Sequence, residues 1–323
     1  MAADSSFRSL VHRLRRDTTS GAAELAGTAA QGLARAVAEI EAATVEELCR
    51  AVLDQVGPLL RAQPSMAPLY SLSRRVLSAI EGAPSVAAAR TAAEEAATRF
   101  AEGHGHRVEA AARHAAHALS DVTRVATVSR SSTVLRALEL WGIGSGRGGG
   151  PGSRTSADVA AEHPGRSVLC LESRPGNEGR DAARSLAASG LEVDYAVDAA
   201  AYRLVPACHA LVLGADSVGD GGVVNKIGSA AAAWAASSAG LPVLVVADST
   251  KILPVGVAQV IEDERPAEEV WDAPVAGVRP WNQYFEIVPL SLITSVSTEE
   301  GVYAPDELAR YRAGIEVPSL LGG

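Results

Sequence analysis

Lysine is almost absent from this 323-residue chain: of 29 basic residues, only Lys226 and Lys251 are lysines. With 38 acidic residues the formal charge is −9. That argues against direct, non-specific nucleic-acid binding. Cysteine is scarce too. Cys49, Cys170 and Cys208 stand far apart and form neither a disulfide framework nor a zinc-ligand pattern. They suit a reducing, cytoplasmic setting. No apolar run is long enough to span a bilayer, so no membrane partner is expected. The first residues, MAADSSFRSLVHRLRRD, do not read as a signal peptide. No G-x-G-x-x-G follows a strand, no phosphate-binding P-loop sequence occurs, and no G-x-S-x-G elbow is present. Dinucleotide, NTPase and hydrolase sites of those types are therefore unsupported, and no cofactor is expected.

What is present suffices for two ordinary domains: 47% of residues are apolar and 21% charged. Residues 1–119 read as helical. Ala and Leu recur at helical spacing through TSGAAELAGTAAQGLARAVAEI. Thr44 with Glu47 gives TVEELCRAVLDQVGPLLRA a start signal, and Ser65 is expected to cap SMAPLYSLSRRVLSAIEG. The stretch from Ser85 to Asp121 reads as one or two long helices.

From residue 120 the texture changes. VTRVATV, SVLCLES, EVDYAV, ALVLGA, PVLVVAD and LITSVST are short β-branched runs, separated by helix-like segments. Alternation of this kind predicts a parallel sheet covered on both faces. The fold class is α/β: a helical N-terminal domain over 1–119 and a Rossmann-like domain over 120–323. Residues 144–158, rich in Gly and Ser, read as a flexible loop. Ligands of such sheets sit beyond the carboxyl ends of the strands.

Four stretches fall at such ends. TVSRSSTVLRAL opens a helix with Ser129, Arg130, Ser131 and Ser132, which suits either an anion or plain capping. LESRPGNEGRDAA offers the planar fork of Arg174 to a phosphate or carboxylate, and a solvated loop would use the same letters. GADSVGDGGVVNKIGS places Asp216 at a strand end and Lys226 at or near a helix N-terminus. A cation there points to a bound anion, and Asp216 is placed to act as general acid or base. VVADSTKILP brings Lys251 to a fourth strand end. His104, His106, His114 and His117 lie in one helical region, but nothing completes a metal site and none is expected. Trp281, Tyr284 and Phe285 read as core or subunit-contact residues.

Taken together, SGAAELA, PSMAPLYSL, TVSRSSTVLRAL, ESRPGNEG, LGADSVGDGGVVNKIGS and YFEIVPLSLITSVSTEEGVYAPDEL resemble one family. It holds the α, β and δ subunits of translation initiation factor 2B, their archaeal and bacterial relatives, methylthioribose-1-phosphate isomerase and ribose-1,5-bisphosphate isomerase. The resemblance runs along nearly the whole chain. It implies a helical domain followed by a Rossmann-like one, usually dimeric through the latter. It also implies that Asp216 is the catalytic aspartate of the isomerases. Asn225, Lys226 and Arg174 would hold substrate, with Gly21 and Ser131 beside them. The catalytic cysteine of the isomerases falls at Ser129, whose hydroxyl is a far weaker acid than a thiol. Thr19 and Gln63 stand where the isomerases have phosphate-binding arginines.

Two functions follow from the resemblance. One is a regulatory or assembly protein of the initiation-factor type, binding a sugar phosphate or nucleotide. The other is an aldose-1-phosphate to ketose-1-phosphate isomerase with Asp216 as general acid or base and Ser129 orienting the ring oxygen or C2 hydroxyl. The Ser129, Thr19 and Gln63 departures favour the first reading; the intact GAD and NKIG stretches favour the second. The expected partners are a sugar phosphate or nucleotide and further copies of the chain, in a homodimer or higher homo-oligomer.

Overall fold

The structure, a computed structural model, describes residues 2–17, 22–143, 165–261 and 265–321. Thr19, Gly21 and the loop 144–158 lie outside the described residues.

Five helices come first: α1 (Ala2–Arg16), α2 (Ala22–Glu39), α3 (Val45–Ala62), α4 (Ala67–Glu81) and α5 (Val86–Glu102). Their apolar stripes meet in one core that runs from Phe7 through Leu33, Leu48, Leu59 and Leu72 to Phe100. Thr44 caps α3 as expected, its Oγ1 accepting from the Glu47 N–H at 3.1 Å. Ser65 does not cap α4. The N-cap is Met66, with proline in the first turn. The Ala67 N–H donates instead to the Asp216 carbonyl at 3.1 Å, which ties the start of α4 to the loop of the GAD stretch.

The long alanine-rich stretch divides into α5 and α6 (His104–Ala118) around Gly103. A β-carbon at Gly103 would come within 2.5 Å of the Arg107 guanidinium. Beyond the break, Ala111, Ala112 and Ala115 pack with β1, α7 and their neighbours rather than with the helical core. The helix α6, counted with the helical domain in the sequence reading, therefore covers one face of the sheet.

The strands are β1 (Arg124–Val128), β2 (Ser167–Leu171), β3 (Glu192–Ala196), β4 (Ala210–Leu213), β5 (Ser217–Gly219), β6 (Gly222–Lys226), β7 (Val243–Val246), β8 (Phe285–Val288), β9 (Ser295–Thr298) and β10 (Gly301–Tyr303). Between them lie α7 (Ser132–Ile143), α8 (Glu178–Ala188), α9 (Ala201–Leu204) and α10 (Ser229–Ser238); α11 (Pro305–Ala313) follows. Seven strands form the main sheet in the order β10-β9-β7-β4-β1-β2-β3. All neighbours are parallel except β10, which runs antiparallel to β9. The chain leaves β1 toward β2 and β3, then returns to place β4 on the other side of β1. That reversal opens a crevice between the carboxyl ends of β1 and β4.

The glycine-spaced stretch after β4 is not the plain strand-to-helix turn expected. It forms a hairpin, β5 with β6, and β8 pairs antiparallel with β6 to complete a second, three-stranded sheet. Gly222 takes φ of +134°, and a β-carbon there would lie 2.2 Å from the Val288 carbonyl oxygen. Lys226 accordingly ends a strand, and α10 begins only after Gly228.

Candidate functional site

The crevice holds a cavity of about 260 Å³. Ser129, Ser131, Asp216, Asn225 and Lys226 all line it, as does Lys251 from the turn after β7. Arg174 is not among the lining residues. Its side chain is exposed and donates to the Val270 carbonyl at 3.1 Å, while its backbone N–H donates to Asp198 at 2.7 Å.

Ser129 follows β1 with φ of 65°, a left-handed conformation uncommon outside glycine. Its N–H donates to the Ser173 Oγ at 2.7 Å. Ser173 is fully buried and also left-handed, with φ of 61°, and its N–H is held by Asp198 at 2.8 Å. The ends of β1 and β2 are thus laced together, and the unusual backbone is held by hydrogen bonds from both sides. Gly214 permits the approach from β4: a β-carbon there would sit 2.7 Å from the Ser131 β-carbon and 3.8 Å from Asn225 Oδ1. Asp216 follows, half-buried, its N–H donating to the Val224 carbonyl at 2.8 Å. The hairpin thereby fixes the loop that carries the carboxylate.

Asn225 Nδ2 donates to Ser229 Oγ at 3.0 Å. The Lys226 ammonium lies 2.6 Å from Glu178 Oε1, at the first residue of α8. It sits 4.1 Å from the Tyr284 ring centroid and 5.4 Å from that of Phe285. Tyr284 and Phe285 line the cavity, and Trp281 is exposed. Such packing holds the ammonium by ring quadrupoles and one carboxylate. Tyr284 donates to Glu269 at 2.7 Å, and burial raises its phenol above the ordinary range.

A second charged group faces the cavity from α6 and the turn after β7. Asp248 is almost fully buried; Thr250 donates to it through both backbone, at 3.0 Å, and hydroxyl, and the Arg107 guanidinium lies 3.8 Å away. His104 stands beside them. Burial lowers its pKa, Asp248 opposes that, and Arg107 and Lys251 reinforce it. Sequence reasoning missed Arg107, Asp248, Arg265 and Tyr284 as cavity residues, and treated His104 only as one of a helical histidine group.

Gln63 lines the cavity but is otherwise engaged. Its Nε2 donates to the carbonyls of Leu14 at 2.7 Å and Asp17 at 3.0 Å, closing the end of α1. No cysteine lines the cavity. Cys170 lies in β2, where burial pushes its thiol up to about 12. Asp220, from the same hairpin as Asp216, turns away: it accepts from Arg312 at 2.7 Å and from the Gly256 N–H at 2.8 Å.

The described lining includes five cations (Arg107, Arg130, Lys226, Lys251, Arg265) and five carboxylates (Asp17, Glu178, Asp181, Asp216, Asp248). The site can therefore bind an anion only locally. Lys226, on a flexible stem, can turn from Glu178 to a phosphate, with backbone N–H groups at the start of α7 close by.

An N-terminal helical region joined to a mostly parallel sheet, with a polar cavity at the strand-order reversal, defines an α/β architecture whose crevice lies where such sheets take ligands. The profile of the initiation factor 2 subunit family (IF-2B) matches residues 18–305, and the chain belongs to that family. It is 33% identical over 143 residues to ribose 1,5-bisphosphate isomerase of Methanocaldococcus jannaschii, across 43% of this chain and 46% of that protein. The chain thus spans about half the length of that relative. It is 29% identical over 315 residues to methylthioribose-1-phosphate isomerase of Geobacillus thermodenitrificans, across 93% and 83%. Among solved structures, translation initiation factor eIF-2B of Pyrococcus horikoshii OT3 superposes with a TM-score of 0.72 at 24% identity, covering 93% of this chain and 97% of that one. That likeness shows the fold. Among the described residues, no helix is long and apolar enough to cross a membrane.

Proposed function

We propose that the protein isomerises an aldose 1-phosphate to a ketose 1-phosphate at the crevice between β1 and β4. The observation that carries this reading is the convergence of Asp216, Ser129, Asn225 and Lys226 on one cavity at the carboxyl edge of the sheet. In this reading Lys226 and Asn225 hold the substrate, with Ser131 beside them. Asp216 exchanges protons with the sugar, and Ser129 donates a hydrogen bond to it. The names of the two relatives above support the reaction class. Arg174 would join only if its side chain left Val270.

The initiation-factor type of role, binding a sugar phosphate or nucleotide without turnover, is the second reading. Two observations favour it: Ser129 has no thiol neighbour in the cavity, and Gln63 is committed to α1. Self-association through the sheet domain belongs to either reading. Tyr202 on α9 and Trp234 on α10, 75% and 61% exposed, offer it an aromatic surface. A cytoplasmic location fits both.

The deciding test incubates the protein with ribose 1,5-bisphosphate, methylthioribose 1-phosphate and ribose 1-phosphate, with the sugars followed by carbon NMR. A ketose signal that disappears in Asp216→Asn is the expected result. Binding without conversion transfers the conclusion to the second reading.

A further inference from the structure

An isomerase of this kind must handle two protons, and Asp216 is one carboxyl group. A cyclic aldose 1-phosphate becomes an open-chain ketose 1-phosphate when the C2 hydrogen moves to C1 and the O2 proton ends on the ring oxygen. Ser129 is poorly suited to the second transfer, because an aliphatic hydroxyl holds its proton too tightly near neutral pH. Among the other described lining carboxylates, Asp248 is 1% exposed and engaged by Thr250 and Arg107, Glu178 pairs with Lys226, and Asp181 pairs with Arg184.

His104 is different. It is the sole imidazole among the described lining residues, and it begins α6 at the cavity wall. Neither ring nitrogen hydrogen-bonds to any described residue. Asp248, Arg107 and Lys251 are the charged groups that act on it, from its own helix and from the turn after β7. Burial keeps the ring neutral at pH 7, ready to accept a proton.

We propose that His104 is a second proton-transfer residue of the cavity, acting on the sugar together with Asp216. The inference rests on the isomerase reading above. The C1–O4 bond breaks with its pair going to O4, which takes a proton from the Asp216 carboxyl. The C2 hydrogen crosses with its bonding pair to the electron-poor C1, so C2 is oxidised as C1 is reduced. The O2 proton passes to the neutral imidazole as the C2=O2 carbonyl forms. Return of that proton from the imidazolium to the Asp216 carboxylate restores both groups. No outside oxidant or reductant is needed.

The experiment compares wild-type and His104→Gln protein for conversion of ribose 1,5-bisphosphate and methylthioribose 1-phosphate between pH 5 and 9. Thermal melts serve as the check on folding. The expected wild-type kcat/KM is bell-shaped: it rises through an apparent pKa below 6.5 (the ordinary histidine value) as the imidazole deprotonates, and falls at higher pH as the proton-donating Asp216 carboxyl ionises. In His104→Gln, kcat falls about 100-fold or more, KM stays within about threefold, and the acid limb assigned to the imidazole vanishes. A merely structural role would not remove that limb. If the variant fails to fold, the wild-type profile still decides: absence of an acid limb overturns the proposal. Conversion by wild type with an unchanged kcat in His104→Gln overturns this inference alone. No conversion of any aldose 1-phosphate by wild type overturns the isomerase reading and this inference with it.

Discussion

Lys226 offers the sharpest energetic test of the site. Its side chain is 8% exposed, paired at 2.6 Å with Glu178, which is 31% exposed, and it packs on two aromatic rings. The gross attraction of two charges this close is several kcal/mol at an effective dielectric near 20, but desolvation of the ammonium offsets much of it. Breaking a buried pair costs roughly 3–5 kcal/mol. The Glu178 side chain is 31% exposed although its Oε2 is buried without a hydrogen-bond partner among the described residues, so the share lost with Lys226 is taken as about 2 kcal/mol, and loss of the cation–ring contacts adds about 1. Lys226→Met is therefore expected to cost about 3 kcal/mol, Glu178→Gln about 2 because it leaves the more buried ammonium unpaired, and the double variant clearly less than their sum. The coupling should be between about 1 and 2 kcal/mol. Urea denaturation of the four proteins at pH 7 measures the cycle. A Lys226→Met cost below about 1 kcal/mol, or a coupling near zero, would refute the reasoning that the pair is held away from water. The same proteins carry a functional corollary. Glu178→Gln frees the ammonium and is expected to tighten binding of inorganic phosphate, whereas Lys226→Met weakens it.

Two further outcomes can be checked quickly. Gly214→Ala drives a methyl to 2.7 Å from the Ser131 β-carbon; it should cost about 1–3 kcal/mol by urea denaturation and weaken sugar-phosphate binding, read by calorimetry. The Asp220 carboxyl is held below its ordinary value by the Gly256 N–H and then by Arg312. Its contribution is present above the unfolded carboxylate pKa and lost as pH falls through the lower folded value. The melting temperature of wild type should therefore fall more steeply than that of Asp220→Asn below about pH 4.

Much of the sheet could be read from its letters, because each central strand is a β-branched or leucine run between glycine, serine or aspartate. Those runs also placed Ser129, Asp216 and Lys251 correctly beyond strand ends. The hairpin of β5 and β6 was less legible. Asp220-Gly221 between valines is a hairpin signal, yet strands of three and five residues interrupted by glycine look like a loop. Arg174 illustrates a different gap. Its residue type suits phosphate, but direction depends on the left-handed Ser173 before it and on a carbonyl 96 residues further on. His104 and Arg107 reach the cavity only because Gly103 breaks a continuous alanine-rich pattern, so that the next helix crosses to the sheet. Periodicity marks a helix face without saying which of two cores will receive it.

The hydrogen bond from the Ala67 N–H to the Asp216 carbonyl has a consequence for motion. Asp216 lies in the loop between β4 and β5, and its carbonyl accepts from the first turn of α4, a helix of the N-terminal helical region. The loop that carries the carboxylate is therefore held from two sides, by the β6 backbone at Val224 and by α4 at Ala67. Contacts that stiffen or loosen the N-terminal end of α4 bear on the loop that carries the Asp216 carboxylate. If the proposed isomerase activity holds, substitutions in the helical bundle that loosen the first turn of α4 should alter its rate without touching the cavity.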